Sequence, residues 1–477
     1  MRPLRTAATA ALVSAATLAT AVPAAAQVVD SVYKGSVLAP LVARRDSSFR
    51  YAAYIPRRYT GSAPAPLLLV MDPRGRADAS VRMVMPAAER LGWVVMSSYD
   101  TRGDGASARN EQAVNLMLDD AFSTVRIDTS RIYLAGFSAT ARDAWVFAYG
   151  ANGHVAGIIS AGATMPGDTA WRRQYGGKPP FDVALAAGDS GLEYDDVLRT
   201  ADTLRALGAP VRTDEFRGGH DWPPAQLLTQ AMGWLEARAM ARKLAPFDSL
   251  LVDSVFAGDS ARAVALAHAG RTGDAALQWG AMPAAWAGLH DLAYARAQLA
   301  SLDATPAVRA WRAERDSLQR STPAVVAAMR TTLLAVRQHP GVPDLRRLAD
   351  DLRIAQFQQW AADRQDSVRA VWAAGRLGAL YAQVSFYEPE AYLGAADASR
   401  ALSMLSVAEM IRPRSPSVCR ERARAYALRH DAGSTLDELR CALAGKAISI
   451  QEIERDPRYQ FMRSLDAYTD LIDKDGG

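Results

Sequence analysis

The pattern of apolar and polar positions changes character once along this chain, near Leu244. Upstream, short β-rich apolar runs alternate with stretches whose apolar residues recur at helical spacing, the signature of a mainly parallel sheet with helices on both faces. The runs predict strands at Ser31–Val37, Arg50–Ile55, Pro66–Met71, Trp93–Ser98, Arg131–Phe137, Val155–Ala161, Phe181–Ala187 and Val211–Phe216. Helices are predicted at Ala79–Leu91, Asn110–Val125, Ser138–Tyr149, Tyr194–Leu207 and Pro223–Lys243. The polar ARRDSS segment joins the first two strands into an antiparallel hairpin at one edge of the sheet.

Downstream the β signal disappears, and apolar residues keep helical spacing through nearly the whole remainder. Near the end Tyr392, Leu405 and Ala408 recur 34 residues later as Tyr426, Leu439 and Ala442, Ala401 is matched by Thr435, and Pro413 closes the first copy. Small and aromatic residues at these offsets let two antiparallel helices pack closely and stack on the next pair, the tetratricopeptide arrangement. The helices between Phe247 and Ser385 match the pattern poorly and are expected to form degenerate pairs. An irregular helical bundle is the alternative. The reading divides the chain into residues 1–26, 27–244 and 245–477.

The first of these segments carries Arg2 and Arg5, an apolar small-residue run, and Ala24-Ala25-Ala26 before Gln27. That is the layout of a secretory signal peptide cleaved after Ala26. No Cys follows the cleavage site, as a lipid anchor would require, and Arg2 and Arg5 are not the adjacent pair of a twin-arginine signal. No later segment is long and apolar enough to span a membrane. The expected mature protein is exported, and periplasmic in a Gram-negative cell. Without Arg2 and Arg5 the formal charge of +4 falls to about +2. Acidic and basic residues are interspersed, which excludes a nucleic-acid binder. Two cysteines give neither a disulfide framework nor a zinc cluster. Cys419 and Cys441 fall on the paired helices of the second repeat at similar height, so an exported protein could bridge them. Cys441 precedes the packing residue Ala442 by one position, however, which turns its side chain about 100° from that contact. Two buried or half-buried thiols are therefore the expectation and a disulfide the alternative.

The chemistry concentrates in RIYLAGFSATARDAWVFAYG, Arg131–Gly150. A strand enters a Gly-x-Ser turn and an Ala-rich helix leaves it, the context of a nucleophile elbow that lifts Ser138 Oγ out of the chain. Thr140 stands where the motif carries its last glycine. A serine hydroxyl needs a general base, usually His oriented by an acid. Of the two histidines in this region, His154 enters the sixth strand at the wrong edge of the sheet. His220, in GGHDWPP after the eighth strand, stands where the base belongs in the order Ser, acid, His. The acid is expected after the seventh strand, in ALAAGDSGLEYDD, where Asp189 is the first candidate and Glu193 the second. Asp195 and Asp196 read as first-turn helix residues that favour the dipole. The oxyanion is expected to meet the N–H groups of Ala139 and Arg74, since Pro73 has none. The side chains of Arg74 and Arg76 either face substrate or lie in solvent.

Eight strands with the serine turn ending the fifth is the α/β-hydrolase layout. The region from about Leu67 to Pro224 resembles bacterial α/β-hydrolases of the esterase, phospholipase/carboxylesterase and dienelactone hydrolase group, in particular exported members with tetratricopeptide-like helices behind the catalytic domain. The residues that carry the resemblance are DPRGRA (Asp72–Ala77), SSYDTRGDG (Ser97–Gly105), AGFSATAR (Ala135–Arg142) and GGHDWPP (Gly218–Pro224). It implies Ser138 as nucleophile and His220 as base, but places the acid of its relatives at Gly191, which cannot orient a histidine. The expected function is hydrolysis of a small carboxylic ester through an acyl-enzyme, with no metal or organic cofactor, and with a protein or peptide partner at the helical repeats. A peptidase is less favoured, because no propeller-like β region is present to screen peptides. The alternative of a different class is an impaired hydrolase fold serving as a scaffold, which Gly191 supports and the retention of Ser138 and His220 opposes.

Overall fold

Alternation along a single strand shows how this sheet acquires two buried faces. Leu67, Leu69 and Met71 join one core with Met117, Trp145 and Val197, whereas Leu68 and Val70 join another with Val81, Val84, Trp234 and Leu235. Parallel strands require such cover on both sides. The computed structural model describes residues 33–103, 107–167, 173–338, 344–363 and 367–475. The signal-peptide reading of residues 1–26 lies outside the described residues.

The strands are Val37–Val42 (β1), Arg50–Tyr54 (β2), Ala65–Met71 (β3), Val94–Ser98 (β4), Ile127–Phe137 (β5), Val155–Ala161 (β6), Asp182–Gly188 (β7) and Val211–Phe216 (β8). Interleaved with them are the helices Ala77–Leu91 (α1), Ser107–Thr124 (α2), Ala139–Gly150 (α3), Tyr194–Ala206 (α4) and Ala225–Ala241 (α5). The sheet order is β1-β2-β4-β3-β5-β6-β7-β8. β2 runs antiparallel to β1 and β4, and all other neighbours are parallel. Strand bounds follow the sequence reading closely except at the fifth, which starts at Ile127 rather than Arg131, and at the first, expected at Ser31–Val37 and found at Val37–Val42. The hairpin closes tightly, with Ala43 N donating to Phe49 O at 2.9 Å, so the strand is the stretch directly before the turn. Pro40 is tolerated there because the strand is at the sheet edge.

The compact units of the structure divide elsewhere than at Leu244. The chain separates into two compact units after Ala310. The helices Ser249–His268 (α6), Thr272–Trp286 (α7) and Ala293–Asp303 (α8) belong to the first. Val252, Val255, Phe256, Trp279 and Trp286 share a core with Val81, Trp93 and Trp234. Arg212 on β8, itself buried, lies 2.7 Å from both Asp214 and Asp259, the latter on α6. Loss of the β signal marks the end of the sheet; it does not mark the end of the unit, because a helix covering a sheet has the same apolar spacing as one in a separate bundle.

The second unit is all-helical. Beyond Pro306–Gln338, within which the division falls, it contains Leu345–Asp351, Ile354–Ala361, Val368–Ala382, a π-helical turn Gln383–Tyr387, Glu388–Gly394, Ala398–Ile411, Pro416–Leu428, Ala432–Ala444, Ile450–Arg455, a 3-10 segment Pro457–Met462 and Asp466–Asp475. The period seen in the sequence recurs in the backbone. Asp397 and Asp431 cap the helices that follow them by accepting from Arg400 N and Ser434 N, at 3.0 and 3.1 Å. The residues before them, Ala396 and His430, both adopt left-handed φ, 55° and 53°. Leu405, Ala408, Leu439 and Ala442 are completely buried. The expectation of two thiols is overturned: Cys419 and Cys441 form a disulfide, with Cα atoms 5.9 Å apart. The turn of Cys441 away from Ala442 still leaves its Sγ within reach of the neighbouring helix. No helix among the described residues is long and apolar enough to cross a membrane.

Candidate active site

The turn between β5 and α3 is strained at one residue. Ser138 has φ 57° and ψ −126°, outside the regions L-residues favour. Its neighbours impose this. A Cβ on Gly136 would lie 2.4 Å from Thr140 O, so only glycine lets α3 fold back over β5 so closely. Thr140, in place of the motif's last glycine, donates its hydroxyl to Met71 O at 2.6 Å and so ties the turn to the end of β3. Ser138 N donates to Ala161 O at 2.9 Å. The hydroxyl stands at the C-terminal edge of the sheet, at the N-terminus of α3.

His220 arrives from the loop after β8, and its Nε2 lies 2.8 Å from Ser138 Oγ. That loop is tied to the one after β7 by Asp189 N to Phe216 O at 2.9 Å, Ser190 N to Gly218 O at 2.9 Å and Ser190 Oγ to Gly218 O at 2.7 Å. The imidazole sits 4.6 Å from the Phe137 ring and over Gly162, where a Cβ would come within 3.1 Å of it. His154 is exposed in the loop entering β6, at the opposite edge, as the sequence implied.

The carboxylate beside His220 is Glu193, whose Oε2 lies 2.6 Å from Nδ1. Glu193 is buried, and apart from this close contact its two oxygens have no polar partner among the described residues. The first candidate, Asp189, faces elsewhere: Gly218 N donates to its Oδ1 at 3.2 Å, and Arg217 Nε lies 3.3 Å from Oδ2. The reason is a reverse turn. Gly191 N donates to Gly188 O and Tyr194 N to Gly191 O, so the chain folds back after β7. The residue next to the strand end then faces the backbone of the neighbouring loop, and the N-cap of α4 faces the histidine. Gly191 packs in this turn, with space for a Cβ only 3.0 Å from Gly188 O. Burial pushes the Asp189 carboxyl above its usual range, opposed by the Gly218 N–H and Arg217. Asp195 and Asp196 occupy the first turn of α4 as expected.

Ala139 opens α3, and its N–H has no acceptor within the helix. The second expected donor is engaged: Arg74 N donates to Asp72 Oδ1 at 2.8 Å, in a turn closed by the residue two positions before it. Asp72 is the residue that sequence reasoning missed. It is buried, and it also takes Arg76 Nε on Oδ1 at 3.1 Å and Arg76 Nη2 and Trp222 Nε1 on Oδ2 at 2.8 and 2.9 Å. Burial would raise its pKa, but Arg76, Trp222 and the Arg74 N–H together hold the carboxyl below the usual range. Of the two arginines proposed for substrate, Arg76 is thus bound to Asp72, and Arg74 is exposed. The one group of metal-type ligands among the described residues is Cys419, Glu438 and Cys441, where both sulfurs are bonded to each other and offer no thiolate.

Sheet order, a strained serine after the fifth strand and a histidine after the eighth define the α/β-hydrolase fold, followed here by a large all-helical region. No family model and no curated protein matches the chain. Among solved structures, a fluorophosphonate-binding serine hydrolase of Staphylococcus aureus is similar at 12% identity, over 42% of this chain and 98% of that one, with a TM-score of 0.34. A ferulic acid esterase is similar at 13% identity over 43% and 99%, with a TM-score of 0.37. An esterase of the archaeon Pyrobaculum calidifontis is similar at 15% identity over 43% and 87%, with a TM-score of 0.34. At these levels nothing about reaction or substrate follows for this chain.

Proposed function

We propose that this protein is an exported serine hydrolase that cleaves carboxylic esters through an acyl-enzyme. The observation that carries the reading is one continuous contact chain, Ser138 Oγ to His220 Nε2 at 2.8 Å and His220 Nδ1 to Glu193 Oε2 at 2.6 Å, assembled from three loops at one end of the sheet. His220 takes the proton as Ser138 attacks the ester carbonyl, and the Ala139 N–H faces the developing oxyanion. Collapse of the tetrahedral intermediate breaks the bond to the alcohol, which leaves with the proton from His220. Water, deprotonated by His220, then releases the acid and restores the serine. Glu193 fixes the imidazole tautomer and stabilises the imidazolium. The Cys419–Cys441 disulfide accords with export to an oxidising compartment. The recurring caps at Asp397 and Asp431 accord with tetratricopeptide-like pairs that take a protein or peptide partner. The scaffold alternative drew on Gly191, and a carboxylate beside His220 removes that support.

Labelling with a fluorophosphonate probe tests nucleophile activation without knowledge of the substrate. The wild type is expected to label and Ser138→Ala to stay unlabelled with an unchanged circular dichroism spectrum. An unreactive wild type, or equal labelling of both, overturns the assignment.

A further inference from the structure

Asp72 gathers donors from two loops that the proposed chemistry must hold in register. One is its own loop after β3, contributing Arg74 N at 2.8 Å and the Arg76 guanidinium at 2.8 Å; the other is the histidine loop, contributing Trp222 Nε1 at 2.9 Å. Trp222 lies two positions beyond His220, and its ring sits 5.7 Å from that of Phe137, which in turn lies 4.6 Å from the imidazole. The Asp72 backbone is anchored as well, since Thr101 Oγ1 donates to its carbonyl at 2.8 Å. Its side chain is 1% exposed, so the carboxylate is held in a fixed place. A charge-assisted hydrogen bond to a buried anion is directional and stronger than a neutral one. The Trp222 contact is the one of these bonds that reaches the loop carrying the base.

We infer that Asp72 is a positioning residue for His220: through Trp222 Nε1 it clamps the histidine loop against the β3 loop and so sets the approach of Nε2 to Ser138 Oγ. The inference rests on the hydrolase reading and deepens it. Its content is geometric. Without the clamp, Ser138, His220 and Glu193 are all still present, but the loop that carries the base loses its hydrogen bond to the buried Asp72 carboxylate on the β3 side of the site. A misplacement of about 1 Å is enough to lower a rate about a hundredfold.

Trp222→Phe deletes the donor and keeps an aromatic ring beside Phe137. With p-nitrophenyl butyrate, kcat is expected to fall about tenfold or more, with KM changed less than threefold and the variant still melting cooperatively, a few degrees below wild type at most. The rate constant for phosphonylation of Ser138 by a fluorophosphonate should fall by the same factor. In an Asp72→Ala background, Trp222→Phe should cost nothing further, because the bond it removes is already gone. A kcat within twofold of wild type, a loss confined to KM, or full additivity in the double variant overturns the inference. Should Asp72→Ala fail to fold, the kcat and KM of Trp222→Phe alone decide. An unreactive wild type is a different result, which strikes at the hydrolase reading itself.

Discussion

Ser138, Glu193 and Asp189 each make a claim that one substitution can test. Ser138 holds φ 57° without being glycine, a conformation that costs about 1–3 kcal/mol. Ser138→Gly should therefore melt above Ser138→Ala, while both abolish turnover; equal melting temperatures would show that the turn is not strained. Glu193→Gln should lower kcat by about 10²–10⁴, as expected when a base loses its orienting carboxylate. Asp189→Asn should leave kcat within about threefold of wild type, since Asp189 faces Gly218 N and Arg217. The same substitution has a stability signature. A carboxyl whose pKa is raised on folding adds stability below its ordinary value of 3.8 and loses it as pH rises through the folded value. At pH 7 wild type thus carries an ionised group held against burial, and its half-exposed partner Arg217 returns little. Asp189→Asn should melt at or above wild type at pH 7 and show no advantage at pH 3. The meeting of Ser138 with His220 was legible because their strand–turn–helix and strand–Gly-Gly contexts are local. The carboxylate beside the imidazole was not: which of Asp189 and Glu193, two positions either side of Gly191, meets His220 depends on how Gly188–Tyr194 folds back, and propensity does not encode that.

At the scale of elements, glycine positions and the helical hairpins carry the information. The sequence placed six of the eight strands near both observed bounds, because fully buried runs such as Leu67–Met71 leave little choice. It misplaced the first, a half-exposed edge strand that contains Pro40. Gly162 sits beneath the imidazole with φ 59°, so Gly162→Ala combines backbone strain with a Cβ about to strike the ring. Activity should fall tenfold or more with a loss of about 1–2 kcal/mol in stability, and a fully active variant would show that His220 is held some other way. In the helical unit the recurring Asp caps were hidden from the apolar pattern, which records faces and not termini. The disulfide closes a separation of 22 residues, for which chain entropy gives about 3 kcal/mol. Protein secreted to an oxidising compartment should show no free thiol on denaturation without reductant. Two free thiols would exclude the bridge.

For the whole molecule, the disputed quantity is where the first unit ends. The change of pattern at Leu244 and the compact boundary after Ala310 make opposite claims about a shortened chain. A chain ending at Leu244 lacks Val252, Val255, Phe256, Trp279, Met282 and Trp286, all buried against α1 and α5. Burial of such side chains contributes about 1.5–3 kcal/mol each. Their sum is of the same order as the about 5–15 kcal/mol that holds a typical domain together. The shorter chain also strips Arg212 of Asp259 and uncovers Trp234, whose Nε1 donates to Ala285 O at 2.9 Å. It should be insoluble or molten, binding a hydrophobic dye without a cooperative melt. A chain ending after Ala310 keeps every one of these contacts together with Ser138, His220 and Glu193. It should melt cooperatively and label with the fluorophosphonate probe at the rate of the full chain, because no residue of the proposed chemistry lies beyond that point. If the chain ending at Leu244 instead melts cooperatively and labels at the full rate, α6 to α8 are an appendage, and the unit ends where the strands do.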